Sequence, residues 1–323
     1  MPSPDSPADA ATLRAEPAVP PDPVTREEIE TLRLLLARAA AGEYQVLQAG
    51  DPVAGTRLGG DRSAVAREAG LLDALAGIMR VNSGRPVLRI ARERANHGLR
   101  PSGDPLWTSR EVLAPDDELP FLRRTPTGRP LLASTHLPWL GEHALRPDGA
   151  RAGLLARVAN PIACEVGPHT TPDELVRLCR VLDPDRTPGR LTLVSRMGVN
   201  RAASELPRLV AAVRRAGHPS AWLCDPMGGN TFTALSGHRS QLVSMVIEEV
   251  VAFQRAVVEA GGVAAGLRLP TTPDSVTECA WGFGDADRVA ERATPPRDPR
   301  LNAQQAFTVV GAWGPPPRPG VGA

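Results

Sequence analysis

Four apolar runs each end in polar residues able to hold or move charge. Leu191–Ser195 is followed by Arg196-Met197-Gly198, and Ala221–Cys224 by Asp225-Pro226-Met227. Pro86–Ala91 exits into Arg92-Glu93-Arg94, and Asn160–Val166 carries Glu165 near its end, before Gly167-Pro168. Arginines such as Arg92 and Arg196 clamp a carboxylate or phosphate through two parallel N–H donors. Glu142, His143 and Glu165 can move protons if burial brings a carboxyl pKa towards neutrality. The plainer reading is that Arg196 pairs with Glu165 and that the other carboxylates are solvated. Gly228-Gly229-Asn230-Thr231 could cradle a phosphate on backbone N–H groups, although a short glycine pair is a weak signal.

These residues need strands to deliver them. Thr25-Arg26-Glu27-Glu28 has the form of a capping box, and Ile29, Leu32, Leu35 and Leu36 recur at helical spacing behind it. Strand-like runs at Tyr44–Leu47, Pro86–Ala91, Pro130–Ser134, Asn160–Val166, Leu191–Ser195, Ala221–Cys224 and Val263–Leu269 alternate with helical segments. This alternation predicts an α/β fold, a TIM-type barrel with an N-terminal helical extension, whose ligands bind at the carboxyl ends of the strands. About seven strands are clear, and the stretch from Arg100 to Arg129 is the least regular, so a shortened or irregular barrel is expected. The expected organisation is a disordered tail over 1–24, one barrel domain over 25–313 and a second tail over 314–323.

The 323 residues are 42% hydrophobic with a net charge of +1, which gives no bulk electrostatic reason to bind nucleic acid. No apolar run approaches the roughly 20 residues of a membrane helix, and a signal peptide is not evident, so a cytoplasmic protein is expected. The four cysteines are widely spaced and read as buried free thiols. All 37 basic residues are arginine. The absence of lysine excludes a Schiff-base aldolase, a pyridoxal-phosphate enzyme and a P-loop nucleotidase.

Asn160-Pro161, Val166-Gly167-Pro168, Pro188-Gly189-Arg190-Leu191-Thr192-Leu193, Ser195-Arg196-Met197-Gly198, Cys224-Asp225-Pro226-Met227, Gly229-Asn230-Thr231, Val276-Thr277-Glu278-Cys279 and Asp298-Pro299-Arg300-Leu301-Asn302 follow one another along the chain. In this order they resemble the motifs of class II DAHP synthases, which join phosphoenolpyruvate to erythrose 4-phosphate. The likeness runs from Asn160 to about Gln305. It implies a divalent metal (Mn, Co or Mg) held by Cys, His, Glu and Asp, at positions where this chain has Pro52, Gly228, Pro270 and Asp298. Only Asp298 is kept, so no cofactor is expected unless the ancestral activity persists. The likeness also implies anion-binding roles for Arg92 and Arg196 and a site glutamate at Glu142. His143 stands where the family has arginine, and Glu165 where it has lysine.

The leading expectation is therefore a metal-independent enzyme of specialised biosynthesis acting on a small anionic metabolite. Arg92, Arg196, Asp225, Asn230 and Asp298 would bind the substrate, and Glu142, His143 or Glu165 would move protons. One alternative is a non-catalytic partner that regulates a biosynthetic enzyme. Another is authentic DAHP synthase activity. A homo-oligomer is in keeping with the family.

Overall fold

The computed structural model describes residues 24–51, 62–92, 106–124, 128–234, 236–290 and 298–314. Its centre is a closed barrel of eight parallel strands: β1 Gln45–Ala49, β2 Val87–Arg92, β3 Trp107–Glu111, β4 Leu137–Leu140, β5 Ile162–Val166, β6 Leu191–Ser195, β7 Ala221–Cys224 and β8 Ala264–Leu269. Each pairs with its sequence neighbours, and β8 closes on β1 with Val46 opposite Gly266. The helices are α1 Arg26–Ala40, α2 Arg62–Ser83, α3 Ala150–Arg157, α4 Pro172–Leu182, α5 Val199–Arg215, α6 Val243–Glu259 and α7 Ala303–Gly311.

The barrel is complete rather than shortened. Its eighth strand is β3, within the stretch that sequence patterning leaves irregular. Trp-Thr-Ser-Arg-Glu has little apolar character, and only a single helical turn, Pro115–Glu118, follows it. Pro130–Ser134 also differs from expectation: only Leu131–Leu132 is extended, in a small hairpin with Leu122–Arg123. The barrel strand is the next apolar run, β4, where Pro138 weakens the strand signal. His136, just before β4, is buried; its Nδ1 accepts from the Thr108 N–H at 3.1 Å, and its ring meets Trp107 edge-on.

Strand alternation decides which side chains reach the mouth. Val46, Ile90, Trp107, Trp139, Ala163, Val194 and Leu223 fill the barrel interior, whereas Leu47, Cys164, Leu193 and Trp222 face the helices. Two residues beyond the interior positions come Arg92, Ser109, Gly141, Glu165, Arg196 and Asp225. The interior therefore turns from apolar to charged within one alternation, at the carboxyl ends.

The opposite end is closed by α1. Thr25 caps it through the expected box with Glu28, and Leu32, Leu36 and Ala39 pack with Val46, Leu88 and Ala221. Val24, assigned by sequence to the tail, is buried with Ile29 and Leu131. In the second expected tail Gly314 is described, its carbonyl accepting from Gln254 at 2.5 Å, and the rest of both tails lies outside the described residues. Gly189 lets α1 sit this close, because it has φ +78° and a β-carbon there would strike the Arg33 carbonyl oxygen. Gly189→Ala should therefore cost about 2–4 kcal/mol, combining a strained φ with a backbone collision. Urea unfolding checks this, and an unchanged midpoint would show that the seat of α1 can shift.

Candidate active site

A cavity of about 890 Å³ opens at the carboxyl ends of the strands. Arg92, Glu111, Glu142, Glu165, Arg196 and Asp225 are among its lining residues. At its floor Glu165 joins two arginines: Arg196 donates to Oε2 at 2.6 Å, and Arg268 Nη1 lies 2.7 Å from Oε1. The Arg268 contact is an ion pair without directed hydrogen bonds, since none of its guanidinium nitrogens has an aligned acceptor. Asp225 adds a second carboxylate, 3.4 Å from Arg196 Nε and 3.8 Å from Arg268 Nε. Arg268 is fully buried and stacks 3.8 Å over the Trp139 ring, which serves as a platform as well as packing.

The electrostatics follow from this clustering. Burial pushes the Glu165 carboxyl up, but Arg268, Arg196 and the Glu142 N–H at 3.1 Å outweigh it, so it lies below the ordinary carboxylate range. Burial lowers Arg196, yet Asp225 and Glu165 more than reverse this and raise it. Arg92 is brought down to about 10, by burial first and by neighbouring Arg268 second. Three guanidiniums face two paired carboxylates here. Among the described residues Arg92 has neither an ion pair nor a side-chain hydrogen bond, so the excess positive charge rests on it.

The residues expected from sequence fall into three groups. Arg92, Arg196, Glu165 and Asp225 meet at the floor; Glu142 is half-buried above them, and His143 is exposed at the rim. Asn230 does not line the cavity. Its amide is consumed within the fold, accepting from the Val199 N–H and donating to the Pro226 carbonyl and to Glu249 at 2.6 Å. The glycines before it are explained by close approach, since a β-carbon at Gly229 would strike the Gly198 backbone. Asp298 lies on the rim, exposed and paired with Arg239 at 2.8 Å.

Sequence reasoning missed Arg268, Glu111 and Glu249. Arg268 had a signal, because one arginine within the apolar strand Ala264–Leu269 must find an anion inside the barrel. Glu111 lies on the unrecognised β3. Glu249 sits on α6 beside Glu248 and resembles a surface residue. In fact it is buried, and it accepts from the Gly198 N–H at 3.0 Å and from Asn230, tying the loops after β6 and β7 together.

An eight-stranded parallel barrel with a charged mouth at its carboxyl ends defines a TIM-barrel protein. The sequence pattern of the class-II DAHP synthetase family matches residues 93–311. A Pseudomonas fluorescens protein named "Probable phospho-2-dehydro-3-deoxyheptonate aldolase" is 42% identical over 358 aligned positions, covering 90% of this chain and 88% of that protein. A Streptomyces coelicolor phospho-2-dehydro-3-deoxyheptonate aldolase is 37% identical, over 71% of this chain but only 54% of its own length. Among solved structures, a phospho-2-dehydro-3-deoxyheptonate aldolase from Francisella tularensis shares the fold, with TM-score 0.50, 9% identity and coverage of 90% and 94% of the two chains. This chain belongs to the class-II DAHP synthetase family.

The metal that the family resemblance implies does not fit the described residues. A β-carbon at Gly228 would collide with the Arg196 side chain, so the guanidinium fills the room a ligand there would need. Pro270 offers no side-chain donor, and Asp298 is engaged by Arg239. The lining carboxylate Asp51 and the neighbouring Glu278 both pair with Arg300, at 2.5 and 2.6 Å. Among the described residues no three His, Cys, Asp or Glu side chains converge. Pro52 lies outside them.

Glu165→Gln should lose about 3–5 kcal/mol, because it strands the fully buried Arg268. Since the folded carboxyl is depressed, its stabilisation is present above the unfolded value of about 4.3 and is lost as pH falls through the folded value. Urea midpoints that coincide for the two proteins from acid to neutral pH would remove Glu165 as counter-ion. Glu249 works in the opposite direction, because burial raises it to about 8. Stability should fall as pH rises from about 4.3 towards that value, by up to about 1.4 kcal/mol per pH unit, and Glu249→Gln should flatten the slope. A slope that survives the substitution belongs to another group.

Proposed function

We propose that the protein carries out a DAHP-synthase-type condensation, joining phosphoenolpyruvate to a phosphorylated aldose such as erythrose 4-phosphate. The relative from Pseudomonas fluorescens supports the reaction class, being related along most of both chains. The observation that carries the reading is Arg92. A buried guanidinium that, among the described residues, makes no ion pair or side-chain hydrogen bond is stabilised by an incoming carboxylate or phosphate, and it stands at the barrel end where ligands bind. Arg196 extends the positive surface with Arg268 buried behind it, while Glu165 and Asp225 hold both guanidiniums in place. Glu142 and His143 stand higher, where a second substrate would enter. Trp139 beneath Arg268 keeps the floor dry, which strengthens every charge interaction there.

A second reading is favoured by Glu165. An anion where the family has a cation weakens the site for a trianionic substrate, and this favours a different, less highly charged metabolite. The reaction would then be a specialised one, metal-independent like the first.

The two readings separate in one assay. Incubation with phosphoenolpyruvate and erythrose 4-phosphate should release inorganic phosphate, at the same rate in EDTA as in Mn²⁺, because the described donors do not fit a divalent ion. Arg92→Met should weaken phosphoenolpyruvate binding in calorimetry by about ten- to a hundredfold, the worth of a charge-assisted hydrogen bond. If phosphoenolpyruvate binds without phosphate release under either condition, the second reading stands in place of the first. If it does not bind at all, the role of Arg92 is withdrawn.

A further inference from the structure

Glu111 is the last residue of β3, and Trp107, Ser109 and Glu111 share the inward face of that strand. It lines the cavity and is half-buried. Gly141 gives it room: a β-carbon at Gly141 would strike Glu111 Oε1, and Glu165 Oε2 lies only 3.8 Å from that same point. Two carboxyl groups therefore flank one glycine at the cavity floor.

Their surroundings differ. Glu165 has two arginines and a backbone N–H, whereas no hydrogen bond or ion pair engages the Glu111 carboxyl among the described residues. The arginine beside it in sequence, Arg110, is turned to Glu118 at 2.5 Å, and Ser134 donates to the same glutamate. The groups that face Glu111 are Glu165 on β5, Arg268 on β8, Arg151 on α3 and Arg196 after β6. Burial and then the Glu165 charge raise Glu111, with the three arginines opposing, whereas Glu165 is held low. Neighbouring carboxyls pushed apart in this way divide into a proton carrier and a fixed anion.

We infer that Glu111 is the proton-transfer residue of this mouth, with Glu165 as its arginine-bound neighbour. The assignment rests on the condensation proposed above. As the enol phosphate forms its new carbon–carbon bond from the C=C pair, the aldehyde π pair moves to oxygen and takes the proton of Glu111, leaving a hydroxyl. Water then adds at the phosphate-bearing carbon and gives a proton to the Glu111 carboxylate. The hydroxyl so formed becomes the ketone as phosphate departs with the C–O bonding pair and that hydroxyl's proton. Glu111 ends protonated, ready for another cycle. Neither step draws on a group outside the two substrates, water and Glu111.

The test uses Glu111→Gln and Glu111→Asp in the full-length protein, with thermal melting to confirm folding. In Glu111→Gln, kcat should fall by about a hundred- to ten-thousandfold, the range for loss of a general acid or base, while calorimetric phosphoenolpyruvate affinity stays within about threefold. The unmodified protein should lose kcat/KM as pH rises above the Glu111 value, because the acid form begins the cycle. That alkaline limb should vanish in Glu111→Gln and return, at reduced rate, in Glu111→Asp. A near-parental rate in Glu111→Gln, an unaltered limb, or a KM increase at constant kcat would each overturn the assignment while leaving the condensation standing. No phosphate release by the unmodified protein would overturn the condensation and this step together.

Discussion

The bridge from Glu165 to Arg196 and Arg268 is the interaction on which the mouth depends. Opposite unit charges about 4 Å apart are worth about 4 kcal/mol at an effective dielectric of 20, and Arg268 is fully buried and cannot turn to water. Without Glu165, Arg268 would keep only Asp225 at 3.8 Å, and Arg196 would lose its short hydrogen bond. The same bridge shapes the vicinity. It engages both carboxylates and so leaves Arg92 without an ion pair among the described residues, holds Glu165 low beside Glu111, and anchors Glu142 through its backbone N–H.

Strand alternation brings these groups together from distant parts of the chain. Ile90, Ala163, Val194 and Leu223 are apolar interior residues, and Arg92, Glu165, Arg196 and Asp225 each follow two positions later. One face of each strand thus supplies the core low in the barrel and the charges at its mouth, so tilt and register that satisfy the core also set the site. Cys164 and Cys224, on the alternate face, are packed towards the helices, where burial raises both thiols. Their chemistry is closed off by the geometry that opens that of their neighbours.

Much of this architecture was legible in the residues. Apolar runs marked six of the eight strands, and the capping box at Thr25 marked a helix start that the structure reproduces. β3 was hidden because Thr108 and Arg110 present polar groups on the face that helices normally cover, and only one helical turn follows. β4 was hidden by Pro138, which removes a ladder donor from a strand of four residues. Losing β3 also lost Glu111. The site was legible in part for the same reason: a strand end betrays Arg92 or Arg196, whereas the pairing of Glu165 with Arg268 spans a hundred residues, and only closure of the barrel brings it about. Asn230 shows the converse, since a polar residue beside two glycines suggested ligand binding, yet its amide fastens loops.

Gly228, Arg196 and Glu165 form one arrangement. Any β-carbon at 228 would collide with Arg196 as it now lies, so the guanidinium occupies this position only because residue 228 is glycine. Once there, Arg196 needs an anion at the end of β5, and Glu165 supplies it at 2.6 Å while reaching Arg268 with its other oxygen. A lysine at 165 would face two guanidiniums at close range, and a bulky residue at 228 would drive Arg196 off its carboxylate. Gly229 against Gly198, with Glu249 bonded to Gly198 and Asn230, then locks the loops that carry Arg196 and Asp225 at this spacing. Gly228 and Glu165, on either side of the strand that carries Arg196, are thus coupled through one guanidinium. A larger side chain at 228 alone, or a lysine at 165 alone, would oppose the guanidinium that the present pair accommodates.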